Sequence, residues 1–135
     1  CQLIKRKSFL KVDRDIIWLG AYYIAVIFDY LIFEMIPVNY RPILINGHLE
    51  ASYPSSTTLL VLCVMLSLLF QAKRRIKNEA AKRTVCLLAG VFSVLMVAGR
   101  LVAGVHWFSD IFGGVLLSFG LFYLYKGAVL RFDHK

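Results

Sequence analysis

Charge is scarce in this chain. Of its 135 residues only 18% are Asp, Glu, Lys or Arg, with 8 acidic residues against 16 basic ones. An ordinary soluble domain is excluded, because 59% of the side chains are hydrophobic and the mean hydropathy is +0.69. Cysteine is sparse too. Cys63 and Cys86 lie inside apolar runs, Cys1 is terminal, and no Cys-x-x-Cys or Cys/His spacing points to zinc. The internal pair reads as small hydrophobes. There is no internal repeat, no low-complexity segment, and no cleavable signal pattern before the first basic cluster. The net charge of +8 does not signal nucleic acid, since no polar domain remains to present a basic groove.

What the chain does have is long apolar runs. Ile16 to Ile36 is about the length a bilayer requires, and it is interrupted by Asp29 and Glu34. Asp29, in mid-span, is expected to have a structural partner. Pro37 and Pro42 open an irregular, polar stretch, and Val38 to Tyr53 reads as an interfacial loop. Pro54 to Phe70 is a second span, with Pro54 suited to a first helical turn. A basic connection follows, made of Lys73, Arg74, Arg75, Lys77, Lys82 and Arg83. Val85 to Val102 is a third span, broken at Gly104, and about Phe108 to Leu124 a fourth. Gly114 and Ser118 supply the small-xxx-small spacing that lets membrane helices approach closely. The expected fold is an all-α, polytopic membrane bundle forming a single domain over residues 1–135.

Basic residues orient the spans. With the N-terminus of the chain in the cytoplasm, Lys5, Arg6, Lys7, Lys11 and Arg14, the 73–83 cluster, and Lys126, Arg131 and Lys135 all fall inside. These are 14 of the 16 Lys and Arg residues, a positive-inside pattern. Arg41 and Arg100 are the exceptions, and both sit at outer ends of spans. The same face receives Pro54-Ser55-Ser56-Thr57 and the turn from Gly99 to Asp110.

The chemistry of that face follows from its residue types. Two guanidinium groups are forked, permanently charged donors suited to phosphate oxygens. The backbone N–H groups that open the second span, with the Ser55 hydroxyl, add an anion site. His106 and Asp110 are four apart, so they are expected on one helix face, with the carboxylate fixing the imidazole as a nucleophile or general base.

At this point the residues resemble a family. Arg100-x5-His106-x3-Asp110 is similar to the third signature of the type-2 phosphatidic acid phosphatase superfamily, which also includes the vanadium haloperoxidases. Arg41-Pro42 resembles the end of its first signature, Lys-x6-Arg-Pro, and Pro54-Ser55-Ser56-Thr57 resembles its second, Pro-Ser-Gly-His. The resemblance covers roughly residues 16 to 130. It implies that His106 attacks phosphorus to form a phosphohistidine and that Asp110 orients it. Arg41, Arg100, Ser55 and Ser56 would hold the phosphate. It also implies a six-helix core, of which four helices are visible; a chain beginning at Cys1 is then expected to be a piece of a longer protein.

Three positions depart from the pattern. Glu34 stands where the family has a phosphate-binding Lys, and an anion there is repulsive unless it faces elsewhere or pairs with an arginine. Thr57 stands where the family has the His that protonates the leaving oxygen; His48 or a water would then supply the proton. Gly99 replaces a common Ser.

The expected activity is hydrolysis, at the outer face of a membrane such as the bacterial inner membrane, of a phosphomonoester or pyrophosphate on a lipid anchor. Phosphatidic acid, phosphatidylglycerophosphate and polyprenyl pyrophosphate are the candidate substrates. No metal or other cofactor is expected, because the arginines supply the positive charge. Expected partners are the lipid phosphate and membrane lipids, with no nucleic acid. The alternative from another class is a non-catalytic membrane protein that binds or carries anionic lipid phosphates.

Overall fold

The computed structural model describes residues 14–44 and 46–133. Lys5, Arg6, Lys7, Lys11 and Lys135, invoked above for orientation, lie outside these residues. Four helices account for most of the described chain: α1 (Arg14–Met35), α2 (Ser56–Arg75), α3 (Glu79–Val102) and α4 (Phe108–Asp133). Each is long and apolar enough to cross a bilayer, and the described residues contain no β-strand, only an isolated bridge between Tyr40 and Ala51. The expected membrane bundle of four spans is what the chain forms.

The boundaries differ in instructive ways. Pro54 is not in a first turn; α2 begins at Ser56, with Ser55 as its extended N-cap. The basic connection is mostly helix. Lys73, Arg74 and Arg75 form the last turn of α2, where they complement the negative end of the helix dipole, and Lys82 and Arg83 lie within α3. Only residues 76–78 link the two helices, and the Asn78 side chain caps α3 by accepting the Ala81 N–H at 3.1 Å. Hydropathy marks the apolar middle of a span, whereas the backbone ladder continues into flanking charged residues that lie outside the hydrocarbon. At the other end of α3, Gly104 takes a φ of +65°, a left-handed conformation that breaks the helix as expected.

Helix α4 packs against both α1 and α2, and α3 leans mainly on α2. Lipid is as apolar as leucine, so close packing and interhelical hydrogen bonds must hold such a bundle together. Both are present. Tyr22, Val26, Leu59, Cys63, Tyr125 and Val129 form the buried centre, with the Tyr22 and Tyr125 rings stacked at 4.9 Å. The Tyr22 hydroxyl donates to the Cys63 carbonyl at 3.1 Å, and the Tyr23 and Ser67 hydroxyls meet at 2.8 Å. Glycines set the α2–α4 approach. A Cβ on Gly114 would lie 3.1 Å from the Ser55 carbonyl and 3.3 Å from Thr58 Cβ, and Ser118, one turn on, is fully buried. At the basic end, Arg75 Nη2 grips both oxygens of buried Asp15 at 2.6 and 2.7 Å, tying α1 to α2. The opposite end carries the C-termini of α1 and α3 and the N-termini of α2 and α4. That is where Arg41, Arg100, His106 and Asp110 gather.

Candidate active site

The loop between α1 and α2 is not a featureless connection. It folds back on itself, with the Ser52 N–H donating to the Asn39 carbonyl at 2.8 Å and the Arg41 N–H to the Glu50 carbonyl at 3.1 Å. Asn46 and Gly47 take φ values of 51° and 80°, the paired left-handed conformations a tight reversal needs. This small hairpin leans on the α3–α4 turn, where the Trp107 indole N–H donates to the Tyr40 carbonyl at 2.9 Å. A hairpin that meets this turn brings residues far apart in sequence to one point.

Asp110 is that point. It is fully buried in the first turn of α4. Its Oδ2 accepts the Trp107 N–H at 2.9 Å, an acidic side chain reaching back to cap the start of its own helix. Oδ2 also accepts a hydrogen bond from the Ser52 hydroxyl. Oδ1 accepts from Asn39 Nδ2 at 3.2 Å and from the Ser109 hydroxyl at 3.4 Å. The Asp110 carbonyl takes the Ser55 N–H at 2.9 Å, docking the start of α2 on the start of α4.

His106 departs from the expectation that it shares a helix face with Asp110. It lies in the turn before α4, and its Nδ1 is 3.8 Å from Asp110 Oδ2, beyond hydrogen-bond reach. The partner of Nδ1 is the Ser52 carbonyl, at 3.1 Å, with the Ser52 hydroxyl at 3.4 Å. A carbonyl only accepts, so Nδ1 carries the proton and Nε2 keeps its lone pair. Nε2 points to Arg41, whose Nη1 is 3.4 Å away. Burial holds the His106 pKa below its ordinary 6.5, and the charges of Arg41 and Arg100 push it the same way; the Ser52 carbonyl and Asp110 act in the opposite direction. The buried imidazole is therefore neutral at pH 7, which a nucleophile requires.

The two arginines are held differently. Arg41 Nε lies 3.2 Å from Glu50 Oε2 across the hairpin. Arg100, in the last turn of α3, donates from Nη2 to the Thr57 hydroxyl on α2 at 2.5 Å, while its buried Nε has no hydrogen-bond partner among the described residues. Thr57 thus anchors Arg100.

A cavity of about 510 Å³ opens over His106 and Arg41. Ser56 and Glu34 line it, with Glu50 and the aromatic rings of Tyr30, Phe33, Tyr40 and Tyr53. Glu34 therefore faces the cavity, whereas the carboxylate that pairs with Arg41 is that of Glu50. Ser55 is fully buried and is not among the cavity's lining residues, and its hydroxyl accepts from that of Thr58. His48 is exposed and is not among the cavity's lining residues. Asp29, expected to have a partner, has a buried Oδ2 without a hydrogen bond among the described residues. Sequence reasoning missed Ser52, Asn39 and Glu50, all on the hairpin. The Asn46-Gly47 pair was the available signal for that reversal.

The PAP2 superfamily model matches residues 21–132. Phosphatidylglycerophosphatase B of Bacillus subtilis (strain 168) is 35% identical over 85 residues, which make up 62% of this chain and 40% of that protein. The chain therefore spans less than half the length of that relative. No solved structure matches.

Proposed function

The chain belongs to the PAP2 superfamily, and from that premise we propose that it is an integral membrane phosphatase that hydrolyses a phosphomonoester or pyrophosphate of a lipid through His106. The observation that carries this reading is the imidazole itself. His106 is fixed by Nδ1 on the Ser52 carbonyl, and its Nε2 points at a guanidinium in the wall of a cavity of about 510 Å³. Phosphatidic acid, phosphatidylglycerophosphate and polyprenyl pyrophosphate are the candidate substrates; the similarity to phosphatidylglycerophosphatase B supports the second.

In the proposed reaction the Nε2 lone pair attacks phosphorus. The P–O bond to the leaving group breaks, and the leaving oxygen takes a proton from water, since Thr57 is not an acid at neutral pH. Water then attacks the phosphohistidine, the P–N bond breaks, and inorganic phosphate departs. Arg41, in the cavity wall, and Arg100, held by Thr57, neutralise the charge on the phosphoryl oxygens. The catalytic end lies opposite the basic turn between α2 and α3, so the positive-inside rule puts it on the extracytoplasmic face.

The test is phosphate release from each candidate lipid by His106→Ala in membranes. Release is expected to fall by roughly 10⁴-fold or more, and an acid-labile phosphoenzyme is expected only with His106 present. Release at the wild-type rate would remove the nucleophile. The second reading, a protein that binds anionic lipid phosphates without turnover, draws on Glu34 in the cavity and on Thr57 engaged with Arg100. Stoichiometric lipid binding with no phosphoenzyme would establish it.

A further inference from the structure

We infer that Ser52 is a positioning residue that couples Asp110 to His106, so that the carboxylate acts on the imidazole through Ser52 and not by direct contact. The inference rests on the reading of His106 as the nucleophile. It goes beyond that reading by assigning a role to a residue outside the three signature segments.

The geometry is specific. Asp110 Oδ2 and His106 Nδ1 are 3.8 Å apart, too far for a hydrogen bond. Ser52 lies between them, 1% exposed, and bonds to both. Its hydroxyl donates to Asp110 Oδ2, and its carbonyl accepts from His106 Nδ1 at 3.1 Å. Its N–H is engaged as well, donating to the Asn39 carbonyl at 2.8 Å. Every polar atom of Ser52 is thus committed, and the carbonyl that selects the Nδ1–H tautomer is aimed by bonds on both sides. Asn39 reinforces this by donating its side-chain amide to Asp110 Oδ1 at 3.2 Å. The base of the hairpin therefore grips the carboxylate through two side chains and presents one carbonyl to the imidazole.

A direct Asp110–His106 couple and a couple through Ser52 predict different double-mutant behaviour. Where two groups act in series, removing either breaks the chain, and removing both costs little more. Where they act independently, the losses multiply.

The experiment is a cycle of Ser52→Ala, Asp110→Ala and the double variant in the full-length protein. It measures the rate of phosphohistidine formation with a labelled lipid phosphate. Removing a hydrogen bond to a buried carboxylate is expected to slow Ser52→Ala by about 10–100-fold. The double variant is expected within about threefold of Asp110→Ala, and Ser52→Thr, which keeps the hydroxyl, should recover most of the rate. A rate for Ser52→Ala within twofold of wild type, or losses that multiply, would overturn the inference. A second readout does not need turnover. Nitrogen-15 spectra of labelled histidine, with His106 assigned by its loss in His106→Ala, should show a protonated Nδ1 in wild type. In the folded fraction of Ser52→Ala that signal should shift toward a mixture of tautomers, and an unchanged signal would count against the inference. If no variant, nor wild type, turns over any lipid phosphate, the phosphatase reading has failed, and this spectrum alone decides the place of Ser52.

Discussion

Arg41 offers the sharpest test of the site's electrostatics. Its Nη1 is 3.4 Å from His106 Nε2, so protonating the imidazole would put two cations side by side. At that separation and an effective dielectric near 20, the bare repulsion is about 5 kcal/mol. Glu50, 3.2 Å from Arg41 Nε, cancels part of it. The sign is fixed: the guanidinium disfavours imidazolium, which is one cause of the lowered pKa of His106. The acid limb of kcat/KM reports the free enzyme, so in wild type it should lie below 6.5, the ordinary value. Arg41→Gln should weaken kcat/KM through lost phosphate binding and also move that limb up. Glu50→Gln, which leaves Arg41 uncompensated, should move it down. Measuring wild type and both variants on one substrate cancels the substrate's own titration. A limb that stays in place in Arg41→Gln, or moves lower, would refute the argument.

Four further predictions concern the frame and the departures from the family pattern. A Cβ on Gly113 would clash with the Tyr53 ring, so Gly113→Ala must displace the ring that lines the cavity; it should destabilise the protein by about 1–3 kcal/mol, read as a lower Tm in detergent. Asp15→Asn strips the charge from the α1–α2 clasp on Arg75 and should cost about 1–3 kcal/mol, whereas unchanged thermal stability would show the clasp to be idle. Thr57→His should raise kcat by about tenfold or more by supplying a general acid, and a fall instead would show that the Thr57 tie to Arg100 matters more. His48→Ala should leave the pH profile as it is, because His48 is exposed and lies outside the cavity lining.

The helices were legible because a bilayer imposes a length and an apolar composition that few other constraints can mimic. Their ends were not. Glu79 to Thr84 read as part of the basic connection, yet they open α3, since a helix may begin outside the hydrocarbon with charged residues in its first turns. The small-residue spacing of Gly114 and Ser118 was readable for a physical reason: among membrane helices, close approach does the work that burial from water does elsewhere. The partner of that approach, the Ser55 carbonyl and Thr58, was not, because spacing along one helix does not say which neighbour it meets.

The site was legible where chemistry restricts residue type. Arg41 and Arg100 stood out as the basic residues that break the positive-inside pattern; the structure sets Arg41 3.4 Å from the imidazole, while Arg100 is held by Thr57 and acts on the imidazole through its charge. What spacing misjudged was the link between His106 and Asp110. Four residues apart implies a shared helix face only if both residues are helical, and His106 lies in the turn that precedes α4. Outside a helix the same spacing leaves 3.8 Å between the groups, and something must fill the interval. Ser52 fills it, 54 residues away in sequence from His106. No local pattern could place it there, because its position depends on the reversal at Asn46-Gly47 and on the closure of the hairpin between Asn39 and Ser52. The loop that read as an interfacial connection is therefore the element whose carbonyl bonds the His106 ring, and the geometry of the candidate site depends on its fold as much as on the helix that carries Asp110.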